Sequence, residues 1–347
     1  MTAVTASATK LRVLICDDSR SYLLALRRTL EYDGDIAVSA ACTTAEQAMS
    51  AVPRARPDLV TMDIEPPGRP GLEAVEQIMS SRPLPILILS AHVGQRGDQA
   101  GAALAAGALE ALAKADIDLS DPASPAAAAF RERIRVLGRA RVIKHPRARP
   151  APSAPRRASV IGVCASTGGP QVLARLLEAL PAGYPIPLLI VQHVAAGFGE
   201  GLARWLGRIA RLPVGLAAPG APPAPGAWLA RPGAHLVLAP GGRLALDRHT
   251  PAGPHQPSGD VLFRSIAAAA GRTGVAVVLT GMGRDGAAGA AALQRAGGLA
   301  IAQDERSSAV FGMPQAALEL GVEVAASPAE IAACLLGLRH EPLRGAR

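Results

Sequence analysis

The chain has 347 residues, 49% of them apolar and only 3% aromatic, and carries 36 Lys and Arg against 28 Asp and Glu for a formal net charge of +8. That length exceeds one typical domain and predicts two separately packed, aliphatic cores. Its arginines are scattered and its basic segments lack aromatic stacking partners, so nucleic-acid binding is not expected. Cys16, Cys42, Cys164 and Cys334 lie far apart, which excludes a disulfide framework and a zinc motif and fits a reducing cytoplasm. Residues 1–10 have no apolar signal-peptide core, and no apolar run approaches the roughly 20 residues of a membrane span, so neither export nor membrane insertion is expected.

In chain order, residues 11–114 alternate short apolar runs with amphipathic stretches, the pattern of βα units around a parallel sheet. Strands are predicted over 11–16, 58–62, 86–89 and 109–113, and helices over 22–30, 72–79 and 123–137, where apolar residues recur every three or four positions. Residues 139–157 are rich in Arg and broken by Pro146, Pro150, Pro152 and Pro155, the composition of an extended, solvated linker. A second α/β series follows, with a strand at 159–164, a helix at 170–180 opened by Pro170, and a strand at 187–191. Residues 228–230, 235–239 and 244–246 read as a small antiparallel insert. Strands at 275–279 and 299–302 then resume a buried parallel pattern. The predicted architecture is a βα-repeat unit at 9–138, the linker, and a doubly wound, mostly parallel α/β unit at 158–340.

Ligands of open parallel sheets gather at the carboxyl ends of the strands. In the first unit those ends carry Asp17 and Asp18, Asp63, Ser90 and Lys114. Three neighbouring carboxylates repel one another unless a hard cation sits among them, so Asp17, Asp18 and Asp63 are candidate ligands of Mg²⁺. Asp63 is the candidate phosphoacceptor, since a carboxylate can form an acyl phosphate; Ser90 and Lys114 suit the phosphoryl oxygens. Taken singly, Asp17 or Asp18 would be a helix cap and Lys114 a surface charge. The segments LRVLICDDS (11–19), RPDLVTMD (56–63) and GALEALAK (107–114) resemble a response-regulator receiver domain. That resemblance implies a flavodoxin-like (βα)5 fold and phosphorylation of Asp63 by a partner histidine kinase. Ala115 after Lys114, where receivers usually have Pro, and Pro70 before Gly71 depart from the pattern.

In the second unit, Ala165-Ser166-Thr167-Gly168-Gly169-Pro170 puts a hydroxyl between a buried strand and a helix, where N-terminal backbone N–H groups can meet an oxyanion. Gly168 and Gly169 are read as letting a substrate approach the backbone. Ser followed by Gly-Gly-Pro is equally a phosphate-binding turn or a plain cap. His193 follows the next strand, and an imidazole suits general-base work near neutrality. Asp285, in Gly281-Met282-Gly283-Arg284-Asp285-Gly286, could orient it, or could simply cap a helix. The order Ser, His, Asp and the Cys at 164 disfavour an α/β-hydrolase with Gly-x-Ser-x-Gly. Residues 281–286 also fit Gly-x-Gly-x-x-Gly with Asp304 about 20 residues on, a dinucleotide fingerprint. That alternative leaves Ser166 and His193 without a role.

ASTGGP (165–170), VQH (191–193), APGG (239–242), DVLFRS (260–265), LTGMGRDG (279–286) and AQDERSSAVFGMP (302–314) resemble the chemotaxis response-regulator protein-glutamate methylesterases, the CheB family. The resemblance implies a receiver joined to an enzyme that demethylates glutamate γ-methyl esters on chemoreceptor helices, releasing methanol, and deamidates receptor glutamines. It implies catalysis by Ser166, His193 and Asp285, with Thr167, Gly168, Gly169 and Met282 as active-site neighbours. It also implies a receiver that covers the esterase cleft until Asp63 is phosphorylated. The esterase step is expected to need no cofactor, and the protein is expected to be a cytoplasmic monomer. Cys164 and Val194 stand where the family usually has Gly and Met. A phosphorylation-controlled binding module without esterase activity is the alternative from another class.

Overall fold

The computed structural model describes residues 10–63, 71–91, 102–104, 106–140, 156–195, 197–251 and 255–343. Pro70 and residues 141–155 of the expected linker lie outside this set. The chain divides into two compact units, residues 1–92 with 106–142, and residues 93–105 with 143–347.

The first unit is a five-stranded sheet of β1 (Leu11–Cys16), β2 (Ile36–Cys42), β3 (Leu59–Asp63), β4 (Ile86–Ser90) and β5 (Glu110–Ala113). The strand order is β2-β1-β3-β4-β5 and each pairing is parallel. This is the flavodoxin-like order, whose switch point lies between β1 and β3. Strands β3 and β4 are buried along their whole length, as expected of a sheet covered on both faces. Ser19, Thr44 and Ser124 cap the helices Arg20–Leu30, Ala45–Ala55 and Pro125–Gly138 by accepting from Tyr22, Gln47 and Ala127 N–H groups, which satisfies otherwise orphaned donors. β2 and Ala45–Ala55 carry no strong sequence signal. β2 is an edge strand whose middle residues are only half-buried, and its alanines and serine do not favour a strand over a helix.

The second unit is built on a seven-stranded sheet in the order β15-β14-β13-β7-β8-β10-β9. Its strands are β7 (Val160–Ala165), β8 (Leu188–Gln192), β9 (Val214–Leu216), β10 (Ala227–Leu229), β13 (Gly274–Val278), β14 (Leu299–Gln303) and β15 (Val324–Ala326), all paired in parallel. β11 (His235–Leu238) and β12 (Leu244–Asp247) form a separate antiparallel hairpin, and β6 (Arg157–Ala158) pairs with β16 (Arg339–His340). The antiparallel insert is therefore smaller than predicted. Residues 227–229 are an inner strand of the main sheet, and the short run around Trp228 gave no cue to its direction.

Alternation along β7 sends Ile161, Val163 and Ala165 into one core and Val160 and Cys164 into another on the opposite face. Gly162 is the exception. A Cβ there would fall 2.7 Å from Ile266 and 2.8 Å from Phe263, so the missing side chain lets helix Gly259–Ala270 lie close on the sheet. The chain runs from β7 to β8 on one side and returns through β13 on the other, which makes the β7/β13 boundary the switch point.

Candidate active site

In the first unit the parallel register brings Cys16 beside Met62 and Ser90 beside Ala113, so Asp17, Asp63 and Lys114 emerge at one sheet edge. Lys114 Nζ lies 2.5 Å from Asp17 Oδ2 and 2.8 Å from Asp63 Oδ2, with the Tyr22 ring 4.8 Å beneath it. Carboxylate oxygens of Asp17, Asp18 and Asp63 lie within 4.8 Å of one another. Asp17, Asp63 and Ser90 are buried, whereas Asp18 is exposed. Burial pushes the Asp17 carboxyl up despite the hydrogen bonds from Lys114 and Ser19. Three clustered carboxylates, two of them buried, fit a hard cation such as Mg²⁺, whose charge would offset the cost of ionising Asp17. Burial alone would lower the Lys114 ammonium, but Asp17 and Asp63 outweigh it and hold it up. Ala115 lies in the 3₁₀ turn Lys114–Asp116 that directly follows β5.

In the second unit the ladders continue past the strand ends. Ser166 N–H donates to Thr280 O (3.0 Å) and His193 N–H to Ala165 O (2.9 Å), so the Ser166 turn is held between the exits of β13 and β8, at the switch point. The buried Gln192 side chain reinforces this, donating to Ser166 O (2.9 Å) and His193 O (3.0 Å). Thr280 Oγ1 donates to Thr167 O (3.0 Å). The glycines after Ser166 also answer to this packing. A Cβ on Gly168 would fall 2.6 Å from Ala309, and one on Gly169 would fall 2.2 Å from Gln192 Oε1. Gly281 is pressed against Ser166 in the same way, its Cβ position 2.7 Å from Ser166 Cβ.

His193 Nε2 and Asp285 Oδ2 are 2.8 Å apart. Asp285 also accepts Ser258 Oγ–H (2.6 Å) and the N–H groups of Gly259 (2.7 Å) and Asp260 (3.1 Å). Asp285 thus caps a helix, but not its own. The helix it precedes, Ala287–Arg295, has Gly286 at its N-cap, while Asp285 sits on the N-terminus of Gly259–Ala270, where the helix dipole favours an anion. Burial alone would raise this carboxyl, but hydrogen bonds from His193, Ser258 and Gly259 outweigh it and hold it well below the usual range. An ionised Asp285 only accepts, so His193 Nε2 carries the proton and Nδ1 the lone pair. Among the described residues Nδ1 is buried without a hydrogen-bond partner. The His193 ring stacks on His255, centroids 4.2 Å apart and planes within 9°.

Cys164 lies fully buried beneath Asp285, its Sγ 3.9 Å from Oδ2. A ring nitrogen of His193 is within 4.8 Å of both atoms. Burial pushes the Cys164 thiol far up, so it packs as a neutral group. Val194 is half-buried against the core on the β8 side. The Gly281–Gly286 turn delivers Asp285 to His193, and Asp304 accepts from the N–H and Oγ–H of Ser307, three residues on. Neither feature leaves the dinucleotide reading its acidic partner. Gln192, Ser258 and His255 were not singled out from sequence as site residues. Gln192 lies inside VQH and Ser258 two residues before DVLFRS, but nothing in a linear sequence shows that a serine before one helix will meet an aspartate before another.

A receiver-type sheet with its acid pocket, followed by a parallel α/β unit bearing Ser, His and Asp at its switch point, defines a response regulator with an α/β output domain. A CheB methylesterase profile matches residues 161–335, and a response regulator receiver domain profile matches residues 13–120. A Myxococcus xanthus protein named protein-glutamate methylesterase/protein-glutamine glutaminase 3 is 40% identical over 346 residues, covering 97% of this chain and 96% of its own length. A second from that organism, bearing the same name with number 4, is 39% identical and covers 92% and 94%. The crystal structure of the Thermotoga maritima CheB methylesterase catalytic domain is 33% identical with a TM-score of 0.50, covering 52% of this chain and 97% of that chain. The chain belongs to the CheB methylesterase family.

Proposed function

We propose that this chain is a phosphorylation-regulated protein-glutamate methylesterase and protein-glutamine glutaminase, with a receiver at 9–138, a linker at 139–157 and a catalytic domain at 158–340. The observation that carries the reading is the Asp285–His193 pair, whose histidine is tied by its backbone N–H to Ala165 next to Ser166 and whose Nδ1 is buried without a hydrogen-bond partner among the described residues. Ser166 Oγ attacks the carbonyl carbon of a glutamate γ-methyl ester while His193 Nδ1 takes its proton, and Asp285 stabilises the imidazolium through Nε2–H. The Ser166 N–H is committed to Thr280 O, the Gly169 N–H to Ser166 O, and Pro170 has no N–H, so the oxyanion donors come from outside these three positions. His193 then gives the proton to the departing methoxy oxygen and methanol leaves. Water hydrolyses the acyl-enzyme by the same base, regenerating Ser166. A glutamine side chain follows the same path with loss of ammonia.

The substrate is a helix of a chemoreceptor in the cytoplasm, and a histidine kinase is the phosphodonor to Asp63. Asp17, Asp18 and Asp63 would hold Mg²⁺, which would neutralise charge on the transferring phosphoryl group; Lys114 and Ser90 would meet the phosphoryl oxygens. Among the described residues no helix is long and apolar enough to cross a membrane. The test is methanol release from methylated chemoreceptor with and without Mg²⁺ and a small phosphodonor. Release is expected to vanish in Ser166→Ala and to lose its phosphodonor response in Asp63→Ala. Undiminished release from Ser166→Ala would overturn the nucleophile, and its absence from the native chain would favour a binding module.

A further inference from the structure

The short segment from His255 to Ser258 grips two members of the proposed catalytic set at once. His255 lies flat on the His193 ring, and Ser258 donates its hydroxyl to Asp285. The anchor of this segment lies on the β11–β12 hairpin. Ser258 N–H donates to Nδ1 of His235 (3.1 Å), the first residue of β11 and only 2% exposed. An Nδ1 that accepts carries no proton, so the proton sits on Nε2. Nε2 faces Thr250 O at 3.1 Å. Thr250 is fixed in turn by Asp247, which accepts its N–H (3.1 Å), its hydroxyl, and the His249 N–H (2.8 Å). Gly233 N–H to Gln256 O (3.2 Å) ties the segment to the hairpin a second time.

We infer that His235 is a positioning residue for the reaction: its neutral Nε2–H form holds Ser258, Ser258 holds Asp285, and Asp285 sets the tautomer and orientation of His193. The geometry favours this over simple packing because both His235 nitrogens are spent on polar partners, one of which is a direct neighbour of Asp285. An apolar side chain could fill the same volume but could not accept from the Ser258 N–H. The chemical consequence rests on the esterase reading above. The hydrogen-bond chain itself does not.

The test uses the full-length chain with His235→Phe, which fills the site without an acceptor, and His235→Asn, which keeps a carbonyl acceptor where Nδ1 stands. The Phe variant is expected to lose about tenfold or more in kcat with KM little changed, the scale of one hydrogen bond bearing on a charged group. It is also expected to lose the downfield proton resonance of His193 Nε2–H held by Asp285. The Asn variant is expected to recover most of both. A folded Phe variant with native kcat and an intact resonance overturns the inference, as does an Asn variant impaired as badly as Phe. If the Phe variant fails to fold, ¹⁵N spectra of the native chain decide: a single His235 Nε2–H tautomer supports the anchor, and a tautomer mixture overturns it. If the native chain releases no methanol, the esterase reading fails, while the two spectroscopic signatures still judge the positioning chain.

Discussion

At the residue scale Asp17 and Asp285 pull in opposite directions, and the sign of each shift predicts its stability profile. Asp285 is held low, so it stabilises the fold above the ordinary carboxylate value of about 3.9, and that contribution is lost only as pH falls through the depressed value. The stability gap between native chain and Asp285→Asn in urea titrations is therefore expected to stay level from pH 7 to about 5 and to close only below about 4. The same substitution replaces an acceptor that fixes the His193 tautomer, and kcat for methanol release is expected to fall on the order of 10⁴. Asp17 is pushed up, chiefly by burial. Relative to the unfolded chain the fold disfavours its ionised form, so its favourable contribution is present at low pH and lost as pH rises through the folded value. Asp17→Asn is accordingly expected to stabilise the Mg²⁺-free chain at pH 7 by about 1 kcal/mol, a typical gain from relieving crowded charge, and to gain less Tm on Mg²⁺ addition than the native chain.

At the element scale, helix Gly259–Ala270 does most to place the site, because its first N–H groups fix Asp285. It is seated by glycines on two sides. Gly162 of β7 admits Phe263 and Ile266, and Gly289 of Ala287–Arg295 would put a Cβ 2.7 Å from Asp260 O and 2.8 Å from Asp260 Cα. Alanine in place of Gly289 would gain about 1 kcal/mol in helix propensity, but the backbone of Asp260 cannot swing aside as a flexible side chain could. Gly289→Ala is thus expected to lose about 1–3 kcal/mol net in denaturant unfolding, and to lower methanol release by tilting the helix end that holds Asp285. An unchanged midpoint and activity would mean that the two helices are not in close contact.

At the scale of the whole molecule, each unit has its own sheet and a switch point at which its candidate residues collect. In the proposed regulation, phosphorylation of Asp63 shifts the population towards a form with an accessible esterase cleft. A fragment of residues 158–347 is expected to release methanol faster than the unphosphorylated full chain, and equal rates in a side-by-side assay would remove receiver inhibition from the scheme. Asp63→Ala should leave the full chain at its basal rate whatever phosphodonor is added.

The linear chain by itself determined the two α/β units, the central strands and the strand-end residues Asp17, Asp63, Lys114, Ser166 and His193, because buried parallel strands are continuous apolar runs and ligands collect where such runs stop. It left β2, the direction of β10 and the close packing of the glycines after Ser166 unread, since edge position, sheet partner and close packing are relations between distant segments. Only the tertiary structure decided that Asp285 caps a foreign helix, which nitrogen of His193 is left basic, and that Ser258, His255 and His235 stand behind the pair. Each of those facts depends on which donors a long-range fold aims at one carboxylate, and residue type and local spacing carry no record of that.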